Sequence, residues 1–266
     1  MKIKFWKMSA AGNDFIFIQD FKINTIKKNK LAAKLCDRRL SIGADGLVFI
    51  KKINNSSLKL EYFNSDGSIA FCGNASRSAA MWFYKEIKNN RIINLHTIKG
   101  ILKAEIIDNK NVKIQMPDIN SIKLYCKDNF PNWVKEIHFI DTGVPHTIIP
   151  VKDIEKIDII SKGREIRYHK FFSPSGTNVD FIAKIKNMIY IRTYEKGVED
   201  ETLSCGTGIT AAGIISEIIY NKKPPITIIS RSKEKFKVWF KKKLDKISDI
   251  YIQGPTEIIF KGEIEI

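Results

Sequence analysis

Short runs of β-type character recur along the whole chain, and turn residues separate them at short intervals: "KIKFWKM", "DFIFIQ", "GLVFIKK", "LKLEYFN", "LKAEIID", "VKIQMP", "EIHFIDTG", "HTIIPV", "DFIAKIK", "MIYIRTYE", "PITIISR", "FKVWFK", "DIYIQG" and "TEIIFKG". This spacing favours highly curved or barrel-like sheets over a doubly wound parallel sheet, and predicts an α+β fold. Few segments read as helices. "KKNKLAAKLCDRR" is amphipathic, with Leu31, Leu35 and Cys36 on one side, which makes Cys36 a core residue. "ASRSAAMWFYKEI" follows "FNSDGSIAFCGN", and "ITAAGIISEIIY" follows "EDETLSCGTG". The last is apolar nearly all round, as a helix enclosed by a core must be.

Both of these helices begin at a Cys-Gly pair, Cys72-Gly73 and Cys205-Gly206. The same layout thus occurs twice, with a polar turn, a strand end, Cys-Gly and a small-residue helix, and this predicts a duplicated domain. A chain of 266 residues is long enough for two lobes. Pro117 ends a strand and a polar stretch follows, so the expected N-terminal lobe is 1–117, joined by the C-terminal strand at about 257–266. The expected C-terminal lobe is 118–256. Each lobe is expected to hold one of the two cysteines.

A net charge of +16 can signal a nucleic-acid or membrane-surface partner. Here the lysines come with many Ile and Asn residues across strands, helices and loops alike, as in "KINTIKKNK", which skewed base composition produces by itself. Basic residues form no run with interleaved aromatics of the kind that binds single strands, although "KVWFKKKLDK" is locally basic. No nucleic-acid partner is therefore expected. No apolar stretch approaches the ~20 residues that span a bilayer, and "MKIKFWKMSAAGNDFIFI" lacks the continuous apolar segment of a signal peptide. A cytoplasmic protein with no membrane partner is the expectation. The four cysteines lie far apart without CxxC spacing, which argues against zinc or a disulfide scaffold; Cys126 receives no chemistry.

A thiol at a helix N-terminus meets free N–H groups and the positive end of the helix dipole, which should lower its pKa. Those N–H groups can also receive a carboxylate. Two thiols flanking one carboxylate suit removal of a Cα proton on one face and delivery of another on the opposite face, with backbone donors stabilising the developing charge. That chemistry needs neither pyridoxal phosphate nor a metal, and the chain has no phosphate-binding glycine loop.

"SAAGNDFIFI", "GADGLVFI", "FNSDGSIAFCGNASR", "TGVPHTII", "GTNVDFI" and "RTYEKGVEDETLSCGTG" occur in that order and together resemble the diaminopimelate epimerase family. The resemblance runs from about residue 8 to the C-terminal "GPTEIIFKGEIEI". It implies two similar lobes, each a curved mixed sheet around a central helix, and interconversion of LL- and meso-diaminopimelate in lysine and peptidoglycan-precursor synthesis. It also implies no cofactor and assembly as a homodimer. Carried over residue by residue, Cys72 and Cys205 match the catalytic thiols, with Cys72 the base for the LL substrate and Cys205 the base for the meso form. Gly73, Asn74, Gly206 and Thr207 match the backbone donors to the proximal carboxylate. Asn13, Asn64 and Asn178 match side chains that read the distal end, and His146 and Glu195 match a pair assisting the thiols.

The chain departs from the family pattern in four places. Val144 stands where the family has Asn, so its amide contacts are lost. Lys196 replaces an Arg and keeps the charge without the bidentate fork, which weakens the expected grip on the distal carboxylate. Ala75 stands where Gly is usual, and the loop "GVEDET" is one residue longer than the common form. A proline or hydroxyproline racemase of the same fold would also use paired cysteines, but typically carries an Asp beside the second where this chain has "ETLSC". A basic RNA-binding module would explain the charge but gives no reason for Cys-Gly at two helix starts.

Overall fold

The computed structural model describes residues 2–19, 25–87, 90–243 and 246–265, without the side chains at 25 and 26. The chain divides into two units, Met1–Gln115 with Gly254–Ile266, and Met116–Gln253.

In the first unit, β1 (Lys2–Ala10) and β2 (Asn13–Gln19) form an antiparallel hairpin whose two loop residues, Ala11 and Gly12, both have positive φ (56° and 92°). That is the turn whose twist matches the strands it joins, and Gly12 meets its backbone demand at no steric cost. Helix α1 (Thr25–Leu35) crosses over to β3 (Gly46–Asn54), which pairs parallel with β2. Next, β4 (Ser57–Asn64) returns antiparallel, and the short β5 (Ile69–Ala70) pairs with its end. Helix α2 (Gly73–Glu86) then crosses to β6 (Ile92–Thr97), parallel to β4, followed by antiparallel β7 (Gly100–Ile106) and β8 (Asn111–Gln115). The C-terminal segment Glu257–Glu265 adds to this unit by pairing antiparallel with β1.

The second unit repeats this order. Its strands β9 (Ser121–Lys123), β10 (His138–Asp141) and β11 (Pro145–Pro150) are antiparallel, and helix α3 (Ile159–Arg167) crosses to β12 (Asn178–Ile185), parallel to β11. β13 (Met188–Glu195) returns, β14 (Asp200–Thr202) pairs with its end, and helix α4 (Gly206–Tyr220) crosses to β15 (Ile226–Ile229), parallel to β13. β16 (Lys235–Lys243) and β17 (Lys246–Pro255) complete the meander. Strand by strand, β1–β8 and β10–β17 follow one topology, and each cysteine occupies the same step: just after the short strand, at the start of the second crossover helix.

At β2 the sheet is buried on both faces, and the strand reads accordingly. Phe15 and Phe17 of β2 alternate with Ile16 and Ile18, and all four are fully buried. One face packs against α1, where Leu31, Leu35 and Cys36 meet Ile16, Ile18 and Phe49. The other wraps α2, which touches β1, β4, β6, β7, β8 and the C-terminal strand (β18). Likewise α4 is enclosed by β10, β11, β12, β13, β15 and β16. Residues Gly73–Phe83 of α2 and Gly208–Ser216 of α4 are buried. A helix surrounded by a sheet must be apolar or small nearly all round, and these two are.

Helix α3 does not stand out in the sequence. Its start carries a cap, since Asp158 accepts from the Ser161 N–H at 3.1 Å, and Ile159, Gly163 and Ile166 recur at helical spacing on the buried face. Gly163 masks the signal. It is there because a Cβ would lie 2.4 Å from the Cβ of Tyr194, so helix and sheet approach closely only without one.

Candidate active site

Cys72 is the N-cap of α2, with extended backbone (φ −134°, ψ 114°), and its Sγ accepts from the N–H of Ala75 at 3.4 Å. Asn13 stands beside it at the start of β2. The Asn13 Oδ1 accepts from Asn74 Nδ2 at 3.1 Å and lies 3.8 Å from Cys72 Sγ. Its amide donates to Asp45 at 2.6 Å, so the side-chain orientation is fixed from both ends. Asp45 and Asp14 share Arg38, which donates to them at 2.7 and 2.6 Å, and Lys7 reaches Asp14 at 2.7 Å and the Gly43 carbonyl. Asn64 ends β4, and its amide donates to Ser68 within the turn that leads to β5 and Cys72. A cavity of about 300 Å³ adjoins Cys72, lined in part by Leu60, Tyr62, Ile69, Phe71 and His96.

Burial would push the Asp14 carboxyl up, but the hydrogen bonds from Arg38 and Lys7 outweigh it and bring it down to about 2. Lys7 is itself buried. Removing one partner of such a pair strands the other, so Asp14→Ala should cost about 3 kcal/mol of stability at neutral pH. The sign with pH follows from the lowered value. The contribution is complete above the ordinary carboxylate range near ~4 and is lost as pH falls towards about 2. Denaturant unfolding at stepped pH should show the gap between wild type and Asp14→Ala closing over that interval; a gap independent of pH would contradict this account of Asp14.

Arg77 lies five residues beyond Cys72 on α2 and is fully buried. Burial lowers its guanidinium to about 10, and the charge of Cys72 opposes that shift. The attraction is mutual, so Arg77 favours the thiolate form of Cys72.

In the second unit Cys205 is the N-cap of α4 (φ −116°, ψ 114°) and is buried. The helix-terminus argument predicts a lowered thiol pKa here, and the structure reverses it. Burial pushes the Cys205 thiol well up, and the carboxylates of Glu195 and Asp180 push it further, against the Thr207 hydroxyl and the Gly208 N–H. Desolvation of a charge outweighs the partial charges of a helix end. Thr207 Oγ1 lies 3.3 Å from Cys205 Sγ and 2.9 Å from His146 Nε2. His146 Nδ1 lies 2.7 Å from Asp180, whose other oxygen accepts from Thr193 at 2.7 Å. Asn178 bridges strands: its amide donates to the Pro145 carbonyl at 3.0 Å and accepts from the Lys196 N–H at 2.8 Å. Glu195 ends β13 beside it, and Lys196 opens the turn that follows. Thr142 donates both its N–H and its hydroxyl to the carbonyl of Val144, and the Asp141 carboxylate accepts from the Gly143 N–H at 2.8 Å, which holds that turn.

The candidate residues therefore form one set per unit. Cys72, Gly73, Asn74 and Asn13 come together in the first, with Asn64 in the adjoining turn. Cys205, Gly206, Thr207 and His146 come together in the second, with Asn178, Glu195 and Lys196 at the neighbouring strand ends. The residues missed from sequence are Arg77, Asp180 and Thr193. A charged residue inside an apolar run, as in "ASRSAAMW" and "NVDFIA", was the available signal for the first two. Among the described residues no cluster of three or more His, Cys, Asp or Glu could hold a metal ion, and no helix is long and apolar enough to cross a membrane.

The fold is that of a Bacillus anthracis phenazine biosynthesis protein of the PhzF family (TM-score 0.79, 14% identity, all of both chains covered). A probable proline racemase from Agrobacterium radiobacter K84 shares it (TM-score 0.72, 14% identity, 99% of this chain and 93% of that one). The architecture thus places the protein in the α+β fold class that these two structures share. A family model described as diaminopimelate epimerase matches residues 5–122 and 138–234. Diaminopimelate epimerases from Aquifex aeolicus (38% identity, 98% of each chain) and Hydrogenobaculum sp. (39%, 96% of each) are similar over nearly the whole length. The chain belongs to the diaminopimelate epimerase family, a family of isomerases.

Proposed function

We propose that the protein interconverts LL- and meso-2,6-diaminopimelate by proton transfer at Cα between two thiols, without a cofactor, in lysine and peptidoglycan-precursor synthesis. The observation that carries this is the occurrence of a cysteine as N-cap of the enclosed helix in both repeats of a chain of this family. In this reading Cys72 takes the proton from the LL substrate and Cys205 from the meso form, each acting as acid in the opposite direction. The first-turn N–H groups at Gly73, Asn74, Gly206 and Thr207 receive the carboxylate next to the reacting carbon, since helix starts lack intrahelical acceptors there. Charge that develops on that carboxylate as the proton leaves is met by donors already in place. Asn13, Asn64 and Asn178 read the distal end together with Lys196, and His146 and Glu195 set the field at the thiols. A cytoplasmic homodimer belongs to the same reading.

The experiment is incubation of reduced, purified protein with LL-diaminopimelate in D₂O, followed by separation and mass analysis of both isomers at low conversion. Early meso product should carry deuterium at the inverted carbon while residual LL substrate stays unlabelled, because one thiol removes the hydrogen and the other delivers solvent-derived deuterium. Product that keeps the substrate's own hydrogen would exclude a two-base route. Absence of any meso product would remove the activity itself.

A further inference from the structure

Both cysteines cap equivalent helices, and the side-chain networks that reach them differ in kind. Near Cys72 the cap is completed by Asn13, Asn74 and the N–H of Ala75. From Cys205 the contacts run through Thr207 to His146, to Asp180 and to Thr193, at 3.3, 2.9, 2.7 and 2.7 Å. His146 and Asp180 are wholly shielded from solvent. A carboxylate accepts but does not donate, so the 2.7 Å contact places a ring hydrogen on Nδ1, and in the neutral ring Nε2 is then an acceptor. Thr207 must then donate its hydroxyl hydrogen to Nε2, and its oxygen is turned to receive the S–H of Cys205. The donor directions are mutually consistent along the chain. Gly208 permits it: a Cβ there would lie 2.6 Å from the Asp180 Oδ1 and 3.3 Å from the His146 Cε1.

We propose that Asp180 is a positioning residue for the reaction at Cys205. It fixes the ring of His146 so that Nε2 accepts from Thr207, whose oxygen faces the thiol, and this gives the Cys205 proton a buried acceptor. When Cys205 becomes the base, its S–H bond breaks and the electron pair stays on sulfur. The proton passes to the Thr207 oxygen as the Thr207 hydrogen moves to Nε2. The result is a thiolate and an imidazolium, and the Asp180 carboxylate neutralises the latter in place. No proton leaves the protein and no charge is created overall. The proton held at Nε2 returns along the same path when Cys205 next acts as acid. The inference rests on the epimerase reading for its catalytic consequence and on the unit's own geometry for the arrangement.

Asp180→Asn keeps the shape but cannot carry the charge or dictate the tautomer. It should lower kcat on the order of 10²-fold, with KM within about threefold, as loss of the residue that orients a catalytic imidazole does. Because the equilibrium constant is unchanged, kcat/KM should fall by the same factor from LL and from meso substrate. ¹⁵N-edited imidazole spectra, with His146→Gln to assign the ring, should show the Nδ1–H form in the wild type and its loss in Asp180→Asn. Thr193→Val, which removes only the outer support, should reduce kcat several-fold and keep that tautomer. Wild-type activity in Asp180→Asn would overturn the proposal, and so would an Nε2–H ring in the wild-type protein. Loss of activity with His146 unchanged would reduce Asp180 to a structural role and also overturn it. If Asp180→Asn does not fold, the wild-type tautomer and Thr193→Val decide the matter. If wild-type protein does not interconvert the isomers, the activity reading fails while the spectra still test the His146–Asp180 arrangement.

Discussion

Alanine at either Cys72 or Cys205 should reduce epimerisation by at least ~10³-fold in both directions, with the folded state retained. Each thiol is base in one direction and acid in the other, so neither direction survives loss of one of them. The second consequence is selectivity among the four cysteines. Cys36 lies in the core against Ala32 and Leu35, and burial pushes its thiol up to about 12; Cys126 is part-buried and also raised. Neither caps an enclosed helix, so Cys36→Ala and Cys126→Ala should keep their turnover, with Cys36→Ala paying a modest stability cost for lost packing. Steady-state kinetics from each isomer, with circular dichroism of each variant, checks all four. Substantial turnover by Cys72→Ala or Cys205→Ala would sink the two-thiol mechanism.

Gly208→Ala should lower kcat by about 10–10²-fold while leaving the protein folded. Alanine is the better helix former by about 1 kcal/mol, so propensity alone predicts a stabilised α4. The new methyl would lie 2.6 Å from the Asp180 Oδ1 that Thr193 holds, on the carboxylate whose other oxygen His146 holds. That oxygen must shift by several tenths of an ångström, at a cost of roughly 1–3 kcal/mol. The two terms nearly offset in stability. They do not offset in activity, because displacement of the carboxylate displaces the ring it orients, and misplacements of this size cost up to ~10² in rate. Thermal melts within a few degrees of wild type together with the fall in kcat are the expected pair. Unchanged kcat would mean that the buried network tolerates displacement and does not steer Cys205.

Some of this protein is determined by local order along the chain. The β-type runs and the two Cys-Gly helix starts follow from spacing, residue shape and capping chemistry, which act over a few residues, so they are legible before folding. The repeat is legible for the same reason, since Cys72 and Cys205 stand at the same step of the same local sequence of elements. Helix α3 was hidden because Gly163 answers to Tyr194, a residue thirty-one positions away. The charge state of Cys205 was hidden too. A helix terminus alone argues for thiolate, but enclosure by β10–β13, β15 and β16 removes water, and Glu195 and Asp180 add negative charge from strands remote in sequence. Arg77 beside Cys72 has no counterpart cation in that role at α4, where Thr210 stands at the matching position and bonds the Gly206 carbonyl. The kind of residue at each place is thus written in the chain. Which thiol is shielded, which carboxylate orients which ring and which charges share a dry interior depend on through-space distance and lost hydration, and only the tertiary structure decides those.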